Sequence, residues 1–130
     1  MKMASFFRST ATIVICCLLA GIARAEPVTL LFAGDIMLDD GPGQTIAKGG
    51  DPLAPFAAVL AEADYRIGNL ECPVASSGQA HASKIVTFRA DPRVLSILPG
   101  RFDAVSLANN HSGDYGHDAF NETMQHLDQT

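Results

Sequence analysis

The chain has 130 residues, of which 48% are hydrophobic and 18% charged. Nine Lys and Arg stand against 14 Asp and Glu, for a formal net charge of −5. This length fits one domain at most, since a domain usually takes about 100–200 residues. The composition excludes wholesale disorder, and the lack of any recurring segment excludes a repeat architecture.

The chain opens on an address. Lys2 and Arg8 are basic, and no acid precedes Glu26. The apolar stretch Ala11 to Ile22 follows, and Ala23-Arg24-Ala25 supplies a small-residue exit. Together they predict a secretory signal peptide over residues 1–25, and export. The stretch is shorter than the roughly 20 residues a spanning helix needs. An uncleaved signal-anchor, which would leave the protein on a membrane, is the alternative reading. Ile15 before Cys16 argues against a lipoprotein box. Removing residues 1–25 takes away Lys2, Arg8 and Arg24 but no acid, so −5 becomes −8. So acidic a surface predicts no nucleic-acid partner and no anionic-lipid partner. Cys72 is then the lone thiol, which excludes an intrachain disulfide framework and reads as a small buried residue.

Over the rest, Val28 to Ala33 is an apolar run that predicts a strand buried on both faces, ending at Gly34-Asp35. Gly41-Pro42-Gly43 and Gly49-Gly50 predict a loop; it lacks the Gly-Lys-Ser/Thr ending of a phosphate loop. Asp39 and Asp40 read as solvated loop acids. Asp51-Pro52 predicts a helix start, with Leu53, Phe56, Ala57, Leu60 and Ala61 on one face. Asp64 to Leu70 predicts a second strand, closed by Glu71-Cys72-Pro73. Ser76 to Ser83 is a polar loop in which His81 is expected to be exposed, and Ile85 to Phe88 is a short strand candidate. Asp91-Pro92 begins a two-turn helix with Val94, Leu95 and Leu98, stopped by Pro99-Gly100. Phe102 to Leu107 predicts a third strand. A last helix, about His117 to Asp128, presents Ala119, Phe120, Thr123, Met124 and Leu127. Strands alternating with helices predict an α/β fold with a largely parallel sheet.

Each of the three strands ends in a polar cluster: Asp35, then Glu71, then Asn110-His111. The crevice at the carboxyl ends of parallel strands is where α/β sheets bind ligands. Hard oxygen donors beside an imidazole suit Mn, Fe, Zn or Mg. Taken singly, each residue has a plainer reading. Asp35 would be a turn residue, Glu71 a solvated acid, His111 a hydrogen-bonded loop histidine, and Asn109 and Asn110 turn formers. The joint pattern is sharper, because all three clusters fall at the same end of their strands.

Three runs carry a resemblance: FAGDIML around Asp35, GNLECPV around Asn69-Leu70-Glu71, and SLANNHSGDYG with Asn109-Asn110-His111, Asp114 and Gly116. They look like the capsule-synthesis CapA family of the calcineurin-like metallophosphatase superfamily. FRADP (Phe88 to Pro92) and FDAVSLANNH match in order and approximate spacing. The likeness runs from Leu30 to about Leu127, and ANNHxxDxG is its specific part.

The resemblance implies that residues 26–130 are the N-terminal part of a metallophosphatase-like α/β sandwich, a parallel-rich sheet flanked by helices. It implies two divalent metal ions in the complete domain. Asp35 would bind the first, Glu71 would bridge, and Asn110 would ligate the second through its amide oxygen. His111 would act as general acid or transition-state stabiliser. Asp114 would either orient His111 or cap the last helix. Met37 stands where many superfamily members carry the His of Asp-x-His, a change CapA-like sequences share. The downstream histidines of the superfamily, including His-x-His, have no counterpart in His81, His117 or His126, so the chain is expected to hold half a site.

The implied role is in synthesis of poly-γ-glutamate capsule or another envelope polymer. Its partners would be an anionic polymer or phosphoester substrate reached through metal, together with envelope capsule-synthesis proteins. A non-catalytic accessory that holds an acidic polymer through bound cations is the second reading, and an inactive remnant the third.

Overall fold

A computed structural model describes residues 25–130. Except for Ala25, the segment read as a signal peptide lies outside these residues. Three parallel strands form one sheet in the order β1 (Leu30–Ile36), β2 (Tyr65–Leu70) and β3 (Ala104–Ser106). The α-helices are α1 (Asp40–Ala47), α2 (Ala57–Ala61) and α3 (Gly116–Leu127), with 3-10 turns at Ala54–Phe56 and Pro92–Ile97. The parallel α/β arrangement expected from the alternating pattern is therefore present. Among the described residues no helix is long and apolar enough to cross a membrane.

The core lies between the sheet and the segments that follow β2. Ile36, Leu38, Leu70, Cys72, Val74, Ala90, Val94, Leu95 and Leu98 form one buried cluster, with Leu127 of α3 packed against it. Cys72 is fully buried, and burial pushes its thiol up to about 11, so it is an inert core residue. Gly68 makes room in the centre of β2. A Cβ there would stand 2.3 Å from Ile36 Cδ1 and 3.2 Å from Phe102 Cε1.

Acids at the amino ends of the strands tie the sheet together. The Thr29 N–H donates to Asp64 Oδ2 at 2.8 Å. Arg66 donates from its backbone N–H and Nε to Asp103 Oδ2, both at 2.8 Å, and from Nη2 to Oδ1 at 3.0 Å. This two-pronged pair fixes the start of β2 against the start of β3.

Several local expectations are corrected. β1 is not buried on both faces: Leu30 is 54% and Phe32 70% exposed. These side chains stand outside the buried core cluster, which draws only Ile36 from β1. The predicted Gly41-Pro42-Gly43 loop is the first turn of α1. Asp39 caps it, its Oδ1 accepting from the Asp40 N–H at 2.8 Å. Pro42 is tolerated because the first N–H groups of a helix have no partner within it. Asp39 is thus no free loop acid, and its Oδ2 also accepts from the Arg89 N–H at 2.7 Å.

Ile85 to Phe88 forms no strand. Ile85 is wholly exposed, and the nearest bridge is the isolated pair Val74 and Ala90. Asp51 closes a turn onto the Leu53 N–H at 2.9 Å, and of the predicted helix face only Leu60 is buried. The two-turn helix after Asp91 has 3-10 geometry, and the third strand spans three residues rather than six. On α3, Ala119 and Thr123 are buried while Met124 is 43% exposed.

The polar loop after β2 is latched to α3. Glu122 accepts from the N–H groups of Ser76 at 2.8 Å and Ser77 at 2.9 Å, and from the Ser77 hydroxyl. Thr123 Oγ1 accepts from the Val74 N–H at 2.9 Å and donates to Ala119 O at 2.7 Å. Gly78, at φ 88°, runs so close to α3 that a Cβ would meet Tyr115 O at 2.2 Å.

Two predictions follow from this packing. Leu70→Ala empties a fully buried position in β2 and should cost about 2–5 kcal/mol, read as a lower urea midpoint. The Ser77 hydroxyl, then the Ser76 N–H, hold the Glu122 carboxyl at about 2, against burial and below the ordinary 4.5. A carboxyl lowered by folding binds its proton more tightly in the unfolded chain. Its stabilisation is therefore present above about pH 4.5 and is lost as pH falls toward about 2. Urea midpoints measured across that window should fall less steeply for Glu122→Gln than for the unaltered chain.

Candidate functional site

The carboxyl ends of all three strands meet, and a β-bulge decides what they present. The register runs Leu30 to Tyr65, Leu31 to Arg66 and Phe32 to Ile67, then resumes with Asp35 opposite Asn69 and Ile36 opposite Leu70. One extra residue is inserted on β1. Without it, Asp35 would stand opposite the apolar Leu70. The bulge shifts the strand by one position and puts a polar side chain beside a polar side chain.

Asn69 is the hub. Its Nδ2 donates to Asp35 Oδ1 at 2.8 Å and to Glu71 Oε2 at 2.5 Å. Glu71 lies two residues beyond Asn69, and a strand's period of two brings their side chains to the same side. From the third strand end, Asn109 Nδ2 donates to Asn69 Oδ1 at 2.9 Å and to Leu70 O at 2.8 Å. A chain of two carboxamides thus joins the ends of β1 and β2 to the segment after β3.

Asn109 also folds its own loop. Its Oδ1 accepts from the N–H groups of His111 and Ser112, each at 2.9 Å, and from Ser112 Oγ at 3.0 Å. The expectation that Asn109 is only a turn former is therefore half the story, since one end of its amide shapes the turn and the other crosses to β2. Asn110 is exposed. Its backbone carbonyl accepts from Lys84 Nζ, and its side chain receives no hydrogen bond among the described residues.

Asp114 is buried completely. Its Oδ2 accepts from His111 Nδ1 and from the Phe88 N–H, each at 2.8 Å, and its Oδ1 from Lys84 Nζ at 2.5 Å. Burial alone would raise this carboxyl; the hydrogen bonds from Lys84, His111 and the Phe88 N–H outweigh it and hold the group below the usual carboxylate range. Asp114 hydrogen-bonds the His111 ring, while the N-cap of α3 is Tyr115 with no side-chain cap bond. The Phe88 ring packs on the His111 ring, centroids 4.7 Å apart at 59°.

The five residues singled out from sequence fall into two groups. Asp35 and Glu71 share one amide nitrogen, and His111 and Asp114 form a hydrogen-bonded pair with Asn110 adjoining. Asp35 and Glu71 have no side-chain partner among the described residues except the neutral Asn69 amide. The acids at the amino ends, Asp64 and Asp103, instead have backbone or arginine partners. Carboxylate oxygens are ligands that hard divalent cations take, and here the Asn69 amide meets both of them as a hydrogen-bond donor. No three His, Cys, Asp or Glu side chains among the described residues are grouped to hold a metal.

Asn69 and Lys84 were missed as site residues in the sequence reading. The alternation of β2 carried the signal for Asn69, since it shares a face with Glu71. No local pattern marks Lys84, which sits in an irregular loop. His81 is exposed as expected, with Ser83 Oγ 3.0 Å from its Nδ1.

Comparison with curated proteins gives no match. The family model of the bacterial capsule synthesis protein PGA_cap matches residues 29–130, a span that includes β1 and every residue of this site. The chain belongs to the bacterial capsule synthesis protein PGA_cap family.

Proposed function

We propose that this chain is an exported capsule-synthesis protein that engages an anionic envelope polymer, of the poly-γ-glutamate type, through divalent cations. Asp35 and Glu71 would hold a cation at the carboxyl ends of β1 and β2, and Asn110 would add its amide oxygen. One observation carries the reading: two carboxylates converge on a single neutral amide at the end of a parallel sheet. The basic, apolar and small-residue order of residues 1–25 supports export. A chain at −8 without that segment repels a polyanion, so engagement runs through cations rather than through direct contact.

A bound divalent cation supplies positive charge that neutralises an anionic group on the polymer. Asn69 keeps the two carboxylates at one place before the cation arrives. The bond from His111 Nδ1 to Asp114 leaves Nε2 to hold or release a proton. That pair favours hydrolysis of a phosphoester or polymer linkage as a second reading, with His111 and Asp114 as its proton-handling residues.

Calorimetric titration with Mn²⁺ tests the site. Asp35→Asn and Glu71→Gln should each weaken binding by at least about tenfold, since even residues that only support metal ligands cost that much. Unchanged affinity in both variants would remove the assignment. Poly-γ-glutamate retained on the protein with Mn²⁺ should be released by EDTA, and retention that survives chelation would contradict cation bridging.

A further inference from the structure

Lys84 lies in the irregular segment between β2 and the 92–97 turn, far in sequence from the strand ends. Its ammonium nevertheless sits between two residues of the site. Nζ donates to the carbonyl oxygen of Asn110 and to Asp114 Oδ1. The loop is braced to bring it there. The Lys84 N–H donates to His81 O at 3.0 Å, the His81 N–H to Asp114 O at 2.8 Å, and the Phe88 N–H to Asp114 Oδ2 at 2.8 Å. Residues on either side of Lys84 are thus tied to the same aspartate.

Two consequences follow. An ammonium held on the Asn110 carbonyl fixes the peptide plane between Asn110 and His111, and so the direction in which those neighbours leave the backbone. The same ammonium occupies Asp114 Oδ1, which leaves Oδ2 for the Phe88 N–H and His111 Nδ1. A carboxylate accepts only, so His111 must donate from Nδ1. The Phe88 ring then packs on the imidazole from the loop that carries Lys84.

We propose that Lys84 is a positioning residue. It sets the Asn110–His111 peptide and directs Asp114 to His111, so that the amide oxygen of one residue and Nε2 of the other are presented together. The functional meaning rests on the site reading above, whereas the geometric claim can be tested without it.

The test uses the full chain labelled with ¹⁵N. In the unaltered protein the Lys84 ammonium should exchange slowly and couple to the Asn110 carbonyl, and the His111 ring should show Nδ1–H. Lys84→Met should shift the His111 ring signals and speed amide exchange at Asn110 and His111 at least about tenfold, the scale of lost second-tier support. Mn²⁺ affinity should fall by a similar factor. A folded Lys84→Met protein with an unaltered His111 spectrum would reduce Lys84 to a counter-ion and overturn the proposal. Should that variant fail to fold, the unaltered protein decides alone, because a freely exchanging, uncoupled ammonium would equally overturn it. An unaltered chain that binds no Mn²⁺ would remove the cation reading while the His111 readout still judges Lys84.

Discussion

A carboxylate with no exposure to water has to find its partners inside the protein, and Asp114 imposes that condition on the residues around it. Its two oxygens receive an ammonium, a backbone N–H and an imidazole N–H. Those donors come from residues 84, 88 and 111, two of them in a segment with no regular secondary structure. Regular elements satisfy their backbone groups by themselves, but this loop cannot, and the buried acid supplies part of the order it lacks. The Glu122 latch on Ser76 and Ser77 holds the other end of the same loop against α3.

The strand ends show a division of labour among acids of the same kind. Asp64 and Asp103 at the amino ends are joined to backbone N–H groups and to Arg66, which aligns the sheet. Asp35 and Glu71 at the carboxyl ends receive a neutral amide instead. Two carboxylates near one another repel, and a neutral amide offsets that repulsion only in part. The sheet stabilises its amino edge with one charge pair and backbone hydrogen bonds, and gathers two acids at the opposite edge. That edge is where a parallel α/β sheet presents its ligands.

Connection across this edge runs through amides. Asn109 shapes the loop after β3 with its oxygen and reaches β2 with its nitrogen, and Asn69 passes the link on to Asp35 and Glu71. Asn is suited to this work because one short side chain both donates and accepts. The chain belongs to the bacterial capsule synthesis protein PGA_cap family, and the amide network describes how three separated motifs become one surface.

By itself, the sequence determined the three strands in order, the last helix and the parallel α/β alternation. Apolar runs ending in polar clusters marked the strands, and the Asp-Pro pairs at 51 and 91, read as helix starts, lead into 3-10 segments. Asp35, Glu71 and Asn110-His111 stood out as the polar residues that end the apolar runs, and parallel strand direction puts those ends on one side of the sheet. Tertiary structure decided the rest. Gly41-Pro42-Gly43 reads as a loop by propensity, yet Asp39 caps it into α1. Ile85 to Phe88 has the composition of a strand but no neighbouring strand to complete its hydrogen bonds. The bulge in β1 has no fixed local signature, although it alone determines whether Asp35 faces Asn69 or Leu70. Lys84 shows the same limit: its role depends on a buried carboxylate 30 residues away, and only the folded chain brings the two charges together.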